Sequence, residues 1–372
     1  MPLPILAEGA TRGLSAIPYG YTALKTAVGL AVIAALKRYF GGATNKSDRV
    51  MHSKVVLVTG GTSGIGAAVV RELAVRGAQV IILTQHSPSD PFIVDYIEDL
   101  RTSTGNELIY AEQVDLSSLY SIRLFATKWI DNSPVRRLDM VVLCANTQKP
   151  SSSRVSHGTS EGLQEEWQIN YLANYHLLSI LSPALRAQPP DRDVRIIFTT
   201  CSSYIGANKL DLKVLEKATV IQHSVDSSAK QKAKKGPESF VSILKSSEQG
   251  AQSILMAAME ANFSGVGNTA AISLDEIKKM AGENSDMTGR MKVGIEGGTL
   301  LKECKERHVL RSEIMDEKAG KELWEFSQQQ IEQKEKEAAL LRAMEKKARE
   351  EEEKDKKKQS KTEKSTEAKK KK

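Results

Sequence analysis

The residues with the plainest chemical potential in this 372-residue chain are Thr59-Gly60-Gly61-Thr62-Ser63-Gly64-Ile65-Gly66. They follow the apolar run Val55 to Thr59 and lead into Gly64 to Arg76, whose apolar spacing is helical. Glycines at a strand-to-helix turn let the backbone approach a pyrophosphate. The helix start then offers unpaired N–H groups and partial positive charge to that anion. The expected chemistry is dinucleotide binding at Gly60, Ser63, Gly64, Ile65 and Gly66, the alternative being a tight turn with no ligand. In units of this kind an acid about 20 residues beyond the glycines holds the ribose hydroxyls of NAD. Here Thr84, Gln85 and His86 end the next apolar run, and no acid appears until Asp90. That tilts the expectation toward NADP, whose 2′-phosphate an acid would repel. NAD stays as second choice, because no Arg stands there either.

The elements that must position this turn alternate along the chain. Gln79 to Thr84 reads as a second strand, Leu108 to Val114 as a third, Leu138 to Cys144 as a fourth and Val194 to Thr200 as a fifth. Helices fill the gaps, one opened by Asp90 as cap and Pro91 in its first turn, others over Ser117 to Asp131 and Glu161 to Ala187. Gly77 is a suitable end for the helix after the glycine turn. Apolar strands alternating with helices predict an α/β, doubly wound parallel sheet of the Rossmann kind, with the ligand edge at the strands' carboxyl ends.

Composition narrows the partners. The net charge is +7, but the stretch from Lys346 to Lys372 carries +6 and the first 50 residues +4. The body between is therefore mildly acidic, and no nucleic-acid partner is expected from its charge. Cys144, Cys201 and Cys304 have neither paired nor metal-ligand spacing, so no metal site is expected and the thiols read as reduced.

The glycine spacing, Gly-x-x-x-Gly-x-Gly, resembles the short-chain dehydrogenase/reductase family, and further residues extend the resemblance over about 150 residues. Asp115 ends the third strand, where the family's Asp contacts adenine. Cys144-Ala145-Asn146 ends the fourth, where family members carry Asn-Ala-Gly or a variant. Asn170, in Gln168-Ile169-Asn170-Tyr171, lies where the family has a catalytic Asn within a helix. Ser202-Ser203 ends the fifth strand, and Ser203 takes the place of the catalytic Ser. The resemblance is nearest to membrane-associated, retinol-dehydrogenase-like members, including fungal ones. It implies an oxidoreductase that moves a hydride between NAD(P) and a hydroxyl or carbonyl of a small lipophilic substrate. The alternative is a catalytically silent, nucleotide-binding membrane scaffold or sensor.

The resemblance breaks at the proton donor. The family uses a Tyr and a Lys spaced Tyr-x-x-x-Lys, the Lys lowering the Tyr pKa. No tyrosine follows Tyr204, which has Asn208 four residues on. The nearest echo, Asp226-Ser227-Ser228-Ala229-Lys230, puts a carboxylate in the Tyr place. The family's next apolar helix and sixth strand have no counterpart between Ala218 and Leu255, so residues 216–310 are expected to be irregular.

Two appendages flank the domain of residues 50–215. After a flexible start (1–15), residues 16–42 suggest a hydrophobic membrane-anchor helix. Thr26 to Leu36 is uncharged, with Tyr19, Tyr21, Tyr39 and Phe40 at the rims and Lys25 one turn inside. A helix from Gly20 to Tyr39 would measure roughly 30 Å, one hydrocarbon thickness. Lys37, Arg38, Lys46 and Arg49 follow it, which predicts a cytosolic main domain on the endoplasmic reticulum or a lipid droplet. A cleaved mitochondrial presequence and a soluble packed helix are the alternatives. At the other end, residues 311–350 predict a charged helix whose heptads are too irregular to establish a coiled coil, and 351–372 a disordered Lys-rich tail.

Overall fold

The computed structural model describes residues 20–132, 136–148, 158–188, 192–207, 209–219, 246–260, 300–307, 311, 314 and 316–370. After α1 (Gly20–Phe40) come β1 (Val55–Thr59), α2 (Gly64–Val75), β2 (Gln79–Thr84), α3 (Pro91–Thr104), β3 (Ile109–Gln113), α4 (Leu119–Ile130) and β4 (Met140–Leu143). The segment α5 follows in three parts, Glu165–Trp167, a π-helical turn Gln168–Leu172, and Ala173–Arg186. Next are β5 (Arg195–Phe198), a 3₁₀ turn Ser202–Gly206, α6 (Leu212–Thr219) and α7 (Ser247–Met259). A short antiparallel pair, β6 (Leu300–Leu301) and β7 (Glu306–Arg307), and the long α8 (Glu317–Lys370) complete the order.

The five main strands form one parallel sheet in the order β3-β2-β1-β4-β5, the doubly wound arrangement expected. Because strand side chains alternate, Val56, Val58, Val80, Ile82 and Val142 pack on one face with α2, α3 and α7. Leu57, Ile81, Val141 and Leu143 pack on the other with α4 and α5. Strand β5 is half covered. Ile197 is buried, while Ile196 and Phe198 are exposed on the α5 side. The caps follow their sequence signals: Asp90 Oδ1 accepts from Phe92 N at 3.0 Å, and Gly77 turns the chain after α2 with φ +82°.

Asp139, buried at the start of β4, braces the sheet. It accepts from Val55 N at 2.9 Å and from Arg137 Nε and Nη2 at 2.5 and 2.7 Å, with Lys54 Nζ 3.5 Å away. Asp139→Ala strands two cations and a backbone donor, and is expected to lower stability by about 2–4 kcal/mol. Urea unfolding of the full chain measures this.

Three expectations need correction. Residues 216–310 are not irregular throughout: α7 is a core helix. Its capping box, Ser246 with Gln249, nucleates it, and Ala251, Ile254, Leu255, Ala258 and Met259 are buried. Polar Ser, Glu and Gln at its start mask its apolar stripe. The helix α8 starts at Glu317 and runs on through 351–370, where a disordered tail was expected. That stretch lacks Gly and Pro and is dominated by helix-forming Lys and Glu. Through its first turns α8 packs on α4 and α5. Finally, α1 forms over the expected residues, but no helix among those described is long and apolar enough to cross a membrane. Lys25, Lys37 and Arg38, with the tyrosines, threonines and glycines, lower its hydropathy. The echo at Asp226 and Lys230, with His223, lies outside the described residues, as do 261–299.

Where α8 meets α4 and α5, His176 is buried with its Nε2 3.3 Å from Glu335 Oε1. Burial, then the charge of Arg123, pushes His176 down to about 4, against a backbone hydrogen bond with Leu119 that raises it. The unfolded group titrates near 6.5. Between those values the unfolded chain binds a proton that the folded chain refuses, so this contribution is complete above pH 6.5 and is lost as pH falls toward 4. Burial pushes Glu335 up, which acts in the opposite sense. The difference between wild type and His176→Phe isolates the histidine: in urea unfolding the stability of wild type relative to His176→Phe should fall by about 2 kcal/mol as pH falls from 7 to 4.5.

Candidate functional site

All the expected site residues lie at the carboxyl ends of the strands or on the helix beside them. At the end of β1, Gly60 has φ +66°, and a Cβ there would meet the Ala145 backbone at 2.8 Å. A Cβ on Gly66 would stand 2.1 Å from the Gly60 carbonyl oxygen. Neither position has room for a side chain, so the turn folds flat against the helix start. Ser63 occupies the cap position of α2 but makes no side-chain capping bond. The first-turn N–H groups are thus left for an outside acceptor. Ser63, Gly64 and Ile65 are exposed at this rim, and Ile65 rests on Gly250 of α7, where a Cβ would meet its Cδ1 at 3.0 Å. A closed backbone cradle under an uncapped helix start fits the pyrophosphate of a dinucleotide.

The neighbouring strand ends complete the edge. Asp115 follows β3; its Oδ1 accepts from Ser117 N at 2.8 Å and Ser117 Oγ at 2.7 Å, so one carboxylate oxygen holds the turn itself. Asn146 is exposed beyond β4. Asn170 sits in the π-helical turn of α5. Its Oδ1 accepts from Thr147 N and its Nδ2 donates to Thr147 O, both at 2.8 Å. Its own carbonyl accepts from Asn174 Nδ2 at 2.9 Å. Asn170 is therefore brought to Asn146's loop as a clamp. Ser203 is exposed in the 3₁₀ turn after β5, and its hydrogen bonds to Cys201 lower that thiol's pKa. Beyond the end of β2, Asp90 caps α3 and lies 3.6 Å from His86 Nδ1, so the first acid after that strand already has work.

Two contributors have no motif to announce them. Tyr96 of α3 donates its hydroxyl to Gly61 O at 2.8 Å, and burial pushes that phenol up to about 12. Thr59, fully buried, accepts from Ala145 N at 3.1 Å and ties the end of β1 to the end of β4. Among the described residues no cluster of His, Cys, Asp or Glu could hold a metal.

Fold and turn together define a dinucleotide-binding α/β unit. Residues 54–212 match the family model for short chain dehydrogenase, so this stretch is similar to that family. It is 48% identical over 209 residues to Uncharacterized oxidoreductase pbr1 of Schizosaccharomyces pombe, covering 56% of this chain and 55% of that one. It is 44% identical over 207 residues to Uncharacterized oxidoreductase YNL181W of Saccharomyces cerevisiae, covering 54% and 50%. Similarity to Retinol dehydrogenase 13 of Homo sapiens is 32% over 176 residues, covering 47% and 50%. The chain spans about half the length of the curated relatives it matches. Among solved structures, a Pseudomonas aeruginosa RhlG/NADP active-site complex is 25% identical, with a TM-score of 0.33, covering 39% of this chain and 54% of that one.

Proposed function

We propose that the protein is an NAD(P)-dependent oxidoreductase acting on a hydroxyl or carbonyl of a lipophilic molecule at a membrane, slow for want of a proton donor. The observation that carries the reading is the glycine cradle, with Gly66 pressed under the Gly60 carbonyl at an uncapped helix start. When bound, the nicotinamide supplies or accepts the hydride. Gly60, Ser63, Gly64, Ile65 and Gly66 would hold the pyrophosphate, with Asp115 toward adenine and Asn146 along the strand ends. Ser203 would hydrogen-bond the substrate oxygen. We favour NADP over NAD, because none of Thr84, Gln85 and His86 at the end of β2 is an acid, and the nearby Asp90 is held by its bonds to the α3 start and to His86. Retinol dehydrogenases among the relatives support the lipophilic substrate class.

The helix α1 supports the membrane. Its described residues, 21–39, are all exposed, apolar Leu24, Val28, Leu30, Val32, Ile33 and Leu36 included. Tyr21 and Tyr39 lie at its rims, it holds no acid, and Lys37 and Arg38 end it. A helix that is apolar and exposed on every side suits contact with a lipid layer, endoplasmic reticulum or lipid droplet, with the domain on the cytosolic side. The linker beyond it lies along α7: Asn45 N donates to Gln252 Oε1 at 2.9 Å, less than one turn from the glycine cradle's support at Gly250.

The silent scaffold or sensor is the second reading. It is favoured by the lack of any tyrosine after Tyr204 and by Asn170, whose Oδ1, Nδ2 and carbonyl each already hold a partner inside the protein. Full-length protein reconstituted on liposomes, assayed with NADPH and a panel of long-chain aldehydes and ketones, tests the choice. Turnover above the protein-free rate supports the enzyme. Binding of NADPH with no turnover supports the scaffold, and failure to float with liposomes removes the membrane from both.

A further inference from the structure

The helix α8 reaches the candidate site through the π-helical turn. On its inner side that turn carries Asn170, clamped on Thr147 beside the cleft. On its outer side Trp167, Tyr171 and Tyr175 stack in a ladder, with ring centroids 4.6 and 6.4 Å apart. Polar side chains of α8 grip two rungs. Trp167 Nε1 donates to Gln330 Oε1 at 2.8 Å. Ser327 Oγ gives its proton to Leu323 O at 2.7 Å, so the 3.0 Å contact between Tyr171 and Ser327 has the phenol as donor. The third rung, Tyr175, meets Trp324 edge to face at 4.6 Å. Ser327 and Gln330 are buried here, 0% and 9% exposed.

Burying two polar side chains costs desolvation that apolar ones would not, and the return is direction: each bond forms in only one rotation of α5. A π-helical turn has one surplus residue and can relax into regular α-helix, which would rotate Asn170 relative to its neighbours. We propose that Gln330 and Ser327 are positioning residues: by holding Trp167 and Tyr171 they keep the π-helical turn, and so keep the Asn170 amide on Thr147. The carboxyl-terminal helix is then part of the site's scaffold. The link to cofactor affinity rests on the dinucleotide reading above; the link to Thr147 does not.

Amide hydrogen exchange of the full-length protein without dinucleotide separates the two. In Gln330→Leu the Thr147 amide should exchange at least about tenfold faster while Leu57 and Val142 in the sheet do not change. Gln330→Glu, which still accepts from the Trp167 indole, should restore slow exchange. Tyr171→Phe removes a single hydroxyl and gives the same readout if Gln330→Leu folds poorly. Unchanged Thr147 exchange in Gln330→Leu and Tyr171→Phe overturns the proposal, as does an equal acceleration at Leu57. NADPH affinity, measured afterwards, should fall several-fold in Gln330→Leu and in Tyr171→Phe but not in Gln330→Glu. If Thr147 responds but NADPH never binds, the positioning role stands and the cofactor reading fails.

Discussion

Gly66→Asp abolishes dinucleotide binding, with NADPH affinity falling by at least about a hundredfold in a fluorescence titration, the order of a lost anion site. Two effects act together. The new Cβ would lie 2.1 Å from the Gly60 carbonyl oxygen, so the turn must open before any side chain fits. The carboxylate would then sit at the helix start, where its charge takes the place of the phosphate's. Gly66→Ala separates the two, since it keeps the steric clash and adds no charge. It should bind weakly, while Gly66→Asp should not bind. Circular dichroism must show both variants folded, because the loop borders the buried Val69 and Val70.

The second large effect concerns turnover. Grafting a relative's Tyr-x-x-x-Lys helix and following strand after Ala218 should raise the carbonyl-reduction rate by about 10²–10⁴-fold, the usual share of general acid catalysis. Ser203 is exposed and can donate a hydrogen bond, but a serine hydroxyl does not give up its proton near neutral pH. The exposed Ile196 and Phe198 on β5 mark the side of the sheet where the grafted helix has apolar surface to cover. Steady-state rates with NADPH and one model ketone measure the difference. Equal rates would mean that another group of this chain already donates the proton, with His223, Asp226 and Lys230 the first to replace.

Much of this architecture was legible because parallel strands buried on both faces leave continuous apolar runs, and because glycine is irreplaceable where backbones touch. Val55 to Thr59 and the glycines after it announce both. Asp90 and Pro91 likewise announce α3, since capping is local chemistry. What stayed hidden depends on partners distant in sequence. Nothing around Ser247 tells that its helix closes the face over α2, because only Gly250 and the apolar stripe meet the core. The clamp between Asn170 and Thr147 follows from a π-helical turn, whose surplus residue leaves no periodic trace. Trp324, Ser327 and Gln330 look like an irregular heptad until the aromatic ladder of α5 is placed opposite them. Helix α1 shows the reverse case, in which a run of apolar residues and aromatic rims suggested a full span that its overall hydropathy does not reach.

The most direct test of the central claim is a crystal structure of the full-length protein with NADP at saturating concentration. The diphosphate should lie against the backbone N–H groups at the start of α2, above Gly60 and Gly66, with adenine beside Asp115 and the 2′-phosphate at the Gln85 and His86 corner. A dinucleotide bound elsewhere, or an empty glycine turn at a concentration that saturates relatives of this family, would contradict it.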